Sequence, residues 1–221
     1  MNGDVVRVDG SMVLVGDVHG EFVGLKEIIF RHRDKIVIQL GDLGIGFNAK
    51  RVNPAWFLDI NQPYTTNYLT NFEFDPRRFR FIRGNHDNPG ACRIHKNYLG
   101  EYGMYKDVFY ISGAWSIDRD CRTEGVDWWA DEELTIKQGY EALEMYKENK
   151  PDIVISHDCP TLILNRLHAH VVETRTGQLL DAMLREHKPK HWYFAHHHMH
   201  FEETLVGVHF RCLNCNEAIK I

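Results

Sequence analysis

The sequence predicts an α/β fold, and two observations support this prediction. Short apolar runs of strand length recur along the chain, and each one ends directly in a cluster of polar residues. Between the first two runs, Phe22, Leu25, Ile28 and Ile29 recur at the spacing of one helix face. Alternating strands and helices favour an α/β sandwich, in which ligand sites lie outside the carboxyl ends of the strands.

The individual elements can be placed in order along the chain. The first strand is Met12–Val15, and a helix follows from about Glu21 to His32. Further strands lie within 35–42, 78–87, 152–158 and 191–200, where they end at Asp42, at Asn85 and His86, at His157, and at a histidine cluster. Residues 108–116 predict another strand, 131–148 a helix, and 204–213 one or two closing strands. Because the sequence has no internal repeat or linker, we predict a single domain over residues 1–221.

Composition and charge restrict the classes of protein that fit. The chain has 221 residues, 43% of them hydrophobic, which is typical of a soluble globular protein. The formal net charge of -5 does not support nucleic-acid binding. The first residues have no basic segment followed by an apolar run, and the apolar stretches are only strand-sized. We therefore expect no secretory signal, no membrane span and a cytoplasmic location.

Cysteine and histidine differ in what they indicate. The five cysteines are scattered and odd in number, as expected of free thiols in a reducing compartment. Cys212 and Cys215 form a CxxC motif, but without a second pair this is a weak signal for a metal or redox site. We expect two buried thiols on a C-terminal strand instead. Histidine is the commonest metal ligand, and four of the five residues from His196 to His200 are histidines.

The polar clusters after the strands contain the donors of a metal site. Asp17 and His19 stand two residues apart just past the first strand, where both can face one ion. Asp42 has two carboxylate oxygens and can bridge two ions. The other candidates are an amide oxygen and three imidazoles, from Asn85, His157, His196 and His198. Because all the clusters follow strands, we expect them to converge on two ions about 3.5–4 Å apart.

The donor set also predicts the kind of ion. It contains nitrogen and oxygen but no thiolate, which suits Mn²⁺, Fe, Zn²⁺, Ni²⁺ or Co²⁺ better than Ca²⁺. We expect two divalent ions, with Mn²⁺ favoured. Gly16, Gly41 and Gly84 each precede a cluster of candidate ligands, where a residue without Cβ permits a sharp turn and close backbone approach.

Taken in order, these motifs resemble those of the calcineurin-like metallophosphoesterases. The resemblance rests on five segments, namely Gly16-Asp17-Val18-His19-Gly20, Gly41-Asp42, Gly84-Asn85-His86-Asp87, His157 and Ala195-His196-His197-His198. They span residues 16–198, which is nearly the whole chain. The resemblance implies an α/β fold of the metallo-dependent phosphatase type, a four-layer α/β/β/α sandwich.

The resemblance further implies roles for these residues. One ion would be held by Asp17, His19 and His198, the other by Asn85, His157 and His196, with Asp42 as the bridge. A hydroxide held between the ions would attack a phosphate mono- or diester, while His86 binds the phosphate or protonates the leaving group. The alternatives are a non-catalytic interaction module on the same fold and a nuclease acting on nucleic-acid ends.

The last motif leaves the identity of two ligands open. Ala195 stands where the family usually has glycine, which restricts the backbone there. The histidine run also permits His198 and His200 as the ligand pair. We favour His196 and His198, because the strand before them runs directly into His196.

The second motif departs further from one branch of the family. Ile45 and Gly46 occupy the places where phosphoprotein phosphatases have an Asp that orients the catalytic histidine and an Arg that contacts phosphate. We therefore expect a bacterial or phage-type member outside that branch. The carboxylate that supports His86 is then undetermined, and Asp87, the nearest in sequence, is our candidate second catalytic residue.

Substrate recognition is predicted from arginines and aromatic residues. Arg119 and Arg122 could grip a phosphate, since guanidinium groups pair bidentately with its oxygens, or they could pair with nearby acids. Trp115, Trp128 and Trp129 could stack on a ring, but we favour core positions. Residues 47–76 form either a small cap over the entrance or an ordinary helix and loop. The expected partner is a phosphate ester, with nucleotides among the candidates.

Overall fold

The computed structural model describes residues 11–46 and 74–221. The strands in these ranges are β1 (Met12–Val15), β2 (Ile36–Leu40), β3 (Phe79–Ile82), β4 (Tyr102–Tyr105), β5 (Val108–Ile111), β6 (Ile153–Ser156), β7 (His191–Phe194), β8 (Phe201–Leu205), β9 (Val208–Cys212) and β10 (Ala218–Lys220). The helices are α1 (Phe22–Arg31), α2 (Pro89–Arg93), α3 (Ile136–Asn149), α4 (Thr161–Leu167) and α5 (Arg175–Glu186), with a 3₁₀ turn at Arg119–Cys121.

The strands form two sheets with parallel centres. The first has the order β10-β1-β2-β3, in which β1, β2 and β3 are parallel and β10 is antiparallel. The second has the order β4-β5-β6-β7-β9-β8, in which β5, β6, β7 and β9 are parallel and the outer strands are antiparallel. Parallel strands end at a common edge, so the segments that follow β1, β2 and β3 start close together, as do those after β6 and β7.

Successive side chains along each strand point to opposite faces of the sheet, so separate cores form on the two faces. Val13 and Val15 of β1 pack with α1, whereas Met12 and Leu14 face the second sheet. In β5, Phe109 and Ile111 pack with the core formed by α3, α4 and α5, whereas Val108 and Tyr110 face the first sheet. Three stacked cores require four layers, which confirms the predicted α/β/β/α sandwich.

The helices follow their sequence signals with one correction. In α1, Phe22, Leu25, Ile28 and Ile29 are buried as their spacing predicts. The predicted start of the second long helix at residue 131 is wrong, because α3 begins at Ile136. Thr135 caps its first turn through a reciprocal capping box with Gln138, so the helix starts where this cap lies.

The C-terminal region forms a hairpin close to the predicted strands. Segment 204–213 forms most of the β8–β9 hairpin, although β8 begins earlier, at Phe201. Strands β4 and β10 and helices α2, α4 and α5 were not predicted. The predicted cap at 47–76 lies outside the described residues, except for its last three positions. Among the described helices, none has the length and apolar composition needed to cross a membrane.

Candidate metal centre

The seven predicted ligands lie just beyond the ends of parallel strands. Asp17 and His19 follow β1, and Asp42 follows β2. The rest come after β3, β6 and β7, namely Asn85, His157, His196 and His198. The structure groups the ligand atoms of the two aspartates and four histidines into clusters in which all atoms lie within 4.8 Å of one another. Loops from both sheets therefore bring residues that are distant in sequence together at the candidate metal centre.

Four of these residues have a backbone conformation that L-residues rarely adopt. The φ angles are 47° for His19, 55° for Asp42, 68° for His196 and 51° for His198. Left-handed backbone in a non-glycine residue costs free energy, and such strain concentrates at binding and catalytic sites. These four residues lie in the loops after β1, β2 and β7 that carry the candidate ligands.

The first half-site consists of Asp17, His19 and His198. The Nε2 atoms of His19 and His198 face each other at 2.9 Å, and His198 Nε2 lies 2.9 Å from Asp17 Oδ2. Asp17 is fully buried, and within the described residues its Oδ2 has no hydrogen-bond partner. Two imidazole nitrogens and a buried carboxylate oxygen are thus crowded together. A bound cation satisfies such an arrangement.

The second half-site consists of Asn85, His157 and His196. His157 Nδ1 donates to the carbonyl of Leu40 at 2.7 Å, so its Nε2 points inward. That Nε2 lies 3.2 Å from Asn85 Oδ1, whose amide nitrogen donates to Ser116 Oγ at 3.0 Å. Both side chains are therefore oriented by outer partners, with their lone pairs turned toward the centre.

Asp42 stands between the two half-sites. Its Oδ1 lies 3.3 Å from His157 Nε2 and accepts from the backbone N–H of His86 at 2.8 Å. Its Oδ2 lies 3.9 Å from His19 Nε2 and has no hydrogen-bond partner among the described residues. The two oxygens thus face different half-sites, as a bridging carboxylate requires.

The charges of the centre favour ionised carboxylates. Burial alone would raise the pKa of Asp42, but the neighbouring His157 and His86 hold it well below its usual range. Burial lowers the pKa of His157, yet the Asp42 charge and the hydrogen bond between them raise it to about 9. Burial lowers the pKa of His86 to about 3 and that of His196 to about 4. Without a metal ion, a proton on His157 compensates part of the carboxylate charge.

Glycines allow the strand ends to approach the ligands. A Cβ on Gly84 would collide with Asp42 Oδ1 and His157 Nε2. Gly41 has a φ of 94°, and a Cβ there would collide with the His157 ring. The side chains of candidate ligands therefore pack directly against the backbone of these glycines, at positions where a Cβ would not fit.

His86 lies beside the centre and contacts an arginine. The guanidinium nitrogens of Arg122 lie 3.3 Å from His86 Nδ1 and 3.1 Å from His86 Nε2. Arg122 in turn donates two hydrogen bonds of 2.7 Å to the carboxylate of Asp118, and its side chain is only 5% exposed. An Asp118–Arg122 pair thus fixes the surroundings of His86.

Asp87, the predicted second catalytic residue, lies behind the ligand loops. Its carboxylate accepts from the backbone N–H groups of Gly84, Leu43, Gly44 and Ile45, at 2.7–3.2 Å. These hydrogen bonds tie the loop after β2 to the loop after β3. Ile45, at the place where a related branch has an acid, is buried in the core next to α1.

Arg119 has a different environment from Arg122. Its side chain is 45% exposed, and its guanidinium lies 5.1 Å from the ring centre of Trp115 and 3.9 Å from Asp120. Trp115 is only half-buried, whereas Trp129 is buried. The expectation of core tryptophans is therefore right for Trp129 and wrong for Trp115, which faces the cleft beside the centre.

The histidine run separates into different environments. Ala195 is buried between the sheets at the end of the β7 segment. His196 lies with Asp42 and His157, while His200 is exposed and lies 3.2 Å from Glu217. This geometry favours His196 over His200 as a ligand.

The two cysteines of the CxxC motif differ in burial, which corrects one of the predictions. Cys212 is buried at the end of β9, but Cys215 is exposed in the loop that follows. The expectation of two buried strand thiols is wrong for Cys215, because β9 ends at Cys212 and the chain turns before reaching β10.

A cleft of about 420 Å³ opens beside the centre. It reaches from Asp42, Asn85 and His86 to a largely apolar wall formed by Trp115, Ile117, Leu164, Val171 and Val172. Sequence reasoning missed the wall residues from α4 and the segment after it. It also missed Glu132, which holds Ser116 and through it Asn85. Such contacts leave no local pattern in the sequence.

Comparisons with known proteins give one family match. The sequence profile described as calcineurin-like phosphoesterase matches residues 11–200. A search of curated proteins finds no match. Among solved structures, the chain is similar to phosphopantetheinyl hydrolase from Mycobacterium tuberculosis, with 11% identity, a TM-score of 0.44, and coverage of 96% of this chain and 92% of that chain. The family match includes all seven candidate ligands and His86.

Proposed function

Because the chain belongs to the calcineurin-like phosphoesterase family, we propose that it hydrolyses phosphate esters at two divalent metal ions. The observation that carries this proposal is the convergence of buried carboxylate oxygens and imidazole nitrogens, among which Asp17 Oδ2 and Asp42 Oδ2 have no hydrogen-bond partner within the described residues. The proposed ligands are Asp17, His19 and His198 for one ion, Asn85, His157 and His196 for the other, and Asp42 for both.

The donor set fits divalent ions of the first transition row. It combines carboxylate, amide and imidazole groups, which suit Mn²⁺ and its neighbours in that row. Such ions would activate a water molecule and neutralise charge on the phosphate oxygens. The protein's own contribution is to hold the donors in place through outer contacts, such as those of Leu40 with His157 and Ser116 with Asn85.

His86 is proposed to act on the substrate. Its ring lies within reach of the centre, 5.2 Å from the ring of His19, and lines the cleft. In that position it can hold a phosphate oxygen or pass a proton to the departing alcohol oxygen. Arg122 is proposed to position the imidazole, since its guanidinium contacts both His86 and Asp118. Arg119 is the more exposed of the two arginines and is our candidate for direct substrate contact.

Asp87 is proposed as a positioning residue and not as a proton donor. Its oxygens accept from four backbone N–H groups. A carboxylate engaged in this way favours the geometry of two ligand loops at once. It therefore supports catalysis through the position of Asp42 and Asn85.

The cleft supports a proposal for the kind of substrate. Its apolar wall beside the donors suits a phosphate ester with a small organic group, and a volume of about 420 Å³ admits a molecule of nucleotide size. A mono- or diester of this size is our proposal. The net charge of -5 gives no support for long nucleic acids.

The proposal is tested by activity and metal content together. We expect the protein with added Mn²⁺ to bind two ions and to hydrolyse p-nitrophenyl phosphate or its bis-ester. Nucleotides and cyclic nucleotides form the next panel of substrates. A protein that binds two ions but hydrolyses none of these esters would favour an interaction module on the same fold. A protein that binds no ion contradicts the proposed site.

A further inference from the structure

The loop after β9, residues 213–217, is fixed against the first ligand loop. The backbone N–H of Gly16 donates to the carbonyl of Glu217 at 3.0 Å, and that of Asn216 donates to the carbonyl of Asp17 at 2.8 Å. The carbonyl of Asn214 lies where a Cβ on Gly16 would be. The two loops therefore pack backbone to backbone, which fixes the position of Cys215 relative to Asp17.

Cys215 lies at the first half-site. Its Sγ, an Asp17 carboxylate oxygen and ring nitrogens of His19 and His198 all lie within 4.8 Å of one another. The thiol also forms a hydrogen bond with the His19 side chain. A sulfur atom is thus a fourth donor at a place where three ligands were expected.

A second observation indicates that a cation belongs at this cluster. Asp17 is 0% exposed, and within residues 11–46 and 74–221 its Oδ2 has no hydrogen-bond partner. This oxygen lies 2.9 Å from His198 Nε2 and 3.6 Å from His19 Nε2. A buried carboxylate oxygen in this situation requires a positive charge nearby, independently of the cysteine.

We propose that Cys215 is a thiolate ligand of the ion held by Asp17, His19 and His198. This inference rests on the proposed two-ion site and adds a donor to one half of it. The bond forms between sulfur and the ion as the thiol proton leaves to solvent, so no oxidant or reductant takes part.

The thiolate gives the two half-sites different metal preferences. The cluster of Asp42, His157 and His196 contains no cysteine among the described residues. Thiolates favour Zn²⁺, Fe²⁺ or Co²⁺, whereas carboxylate and water favour Mn²⁺ and Mg²⁺. The first half-site is therefore selective for a thiophilic ion, which revises the expectation of a donor set without sulfur.

Cobalt reports this ligand directly. Metal-free wild type and Cys215→Ser are loaded with Co²⁺, and cobalt content is measured beside the near-ultraviolet sulfur-to-cobalt charge-transfer band. We expect both proteins to bind two ions and only the wild type to show the band. Cys121→Ser, which removes the other exposed cysteine, should keep it.

The outcomes separate the inference from the proposed function. Two bound cobalt ions without the band in the wild type, or a band that persists in Cys215→Ser, overturn the thiolate ligand and leave the two-ion site intact. Failure of the wild type to bind cobalt overturns both.

Alkylation provides a readout that needs no substitution. Iodoacetamide should label Cys215 and Cys121 in the metal-free protein, and Zn²⁺ should slow labelling of Cys215 alone, by about 10-fold or more. Equal labelling rates of Cys215 with and without Zn²⁺ contradict the proposal.

Discussion

The two half-sites differ in how they are enclosed. The side chain of His198 in the first half-site is 39% exposed, whereas that of His157 in the second is 0% exposed. His157 is inserted between the ends of two sheets and anchored to Leu40, while His198 lies on the loop that follows β7. We therefore expect an ion at the first of the proposed half-sites to exchange with solvent faster than one at the second.

The largest expected effect comes from the residue shared by both half-sites. Asp42→Asn keeps the size of the side chain but removes the charge that faces His157 and His19. We expect loss of both ions and a fall in turnover of about 10⁴-fold or more. Metal analysis and turnover of p-nitrophenyl phosphate measure this. Retention of two ions in the variant would show that Asp42 is not the bridge.

Removing His86 should separate chemistry from metal binding. His86→Ala should retain both ions and lower kcat by about 10²–10⁴-fold, because the group that acts on phosphate or leaving group is lost. His200→Ala, at the exposed contact with Glu217, is the matched control and should retain near wild-type turnover. Wild-type turnover of His86→Ala would remove His86 from the mechanism. Loss of metal in His200→Ala would instead favour the shifted ligand pair.

The enclosure of the half-sites predicts different stability effects in metal-free protein. His157→Gln removes the cationic partner that lies 3.3 Å from the buried Asp42 carboxylate, so the free energy of unfolding should fall by about 3–5 kcal/mol. His198→Gln, at a partly exposed position, should lower it by less than about 1 kcal/mol. Urea unfolding in the presence of a chelator measures both. Equal losses would contradict the contrast between a buried and an open half-site.

Stability of the metal-free protein should also depend on pH through His157. Its pKa is raised to about 9 in the folded protein, so the folded state binds the proton more tightly than the unfolded state does. The resulting stabilisation is fully present below about pH 6.5 and is lost as pH rises through about 9. Unfolding of metal-free wild type and His157→Gln across this range tests the sign. A wild-type slope no steeper than that of His157→Gln would contradict it.

The affinity for metal should depend on pH in the opposite direction to the stability of the metal-free protein. The imidazole of His157 must lose its proton before its Nε2 can bind an ion. Affinity for the second ion should therefore rise over the same pH range in which metal-free stability falls. Titration with Mn²⁺ at several pH values measures this, and an affinity independent of pH would contradict it.

Local patterns in the sequence predict most of the strands and seven candidate ligands. A strand that ends in Gly-Asp or Gly-Asn-His places polar side chains at a sheet edge wherever the sheet forms, since both the alternation and the ending are short-range properties. For this reason β1 and the buried face of α1 were predicted closely. The later start of α3 is set by the capping box of Thr135 and Gln138.

The surroundings of the ligands were decided by tertiary structure. Ser116 orients Asn85, and the Asp118–Arg122 pair fixes His86, through contacts across 31 and 36 residues of sequence. No local period encodes such contacts, because they exist only once loops from both sheets have packed together. The same holds for the enclosure that distinguishes the two half-sites.

Cys215 shows most clearly which features the sequence determines and which depend on tertiary packing. Sequence alone established a CxxC motif and five aspartate, asparagine and histidine motifs at strand ends, because each is a short local pattern. The position of the Cys215 thiol beside Asp17 follows from the close packing of the loop after β9 on Gly16, which lacks the Cβ that would prevent it. A contact between residues about 200 positions apart, 215 and 17, depends on how the sheets and loops pack.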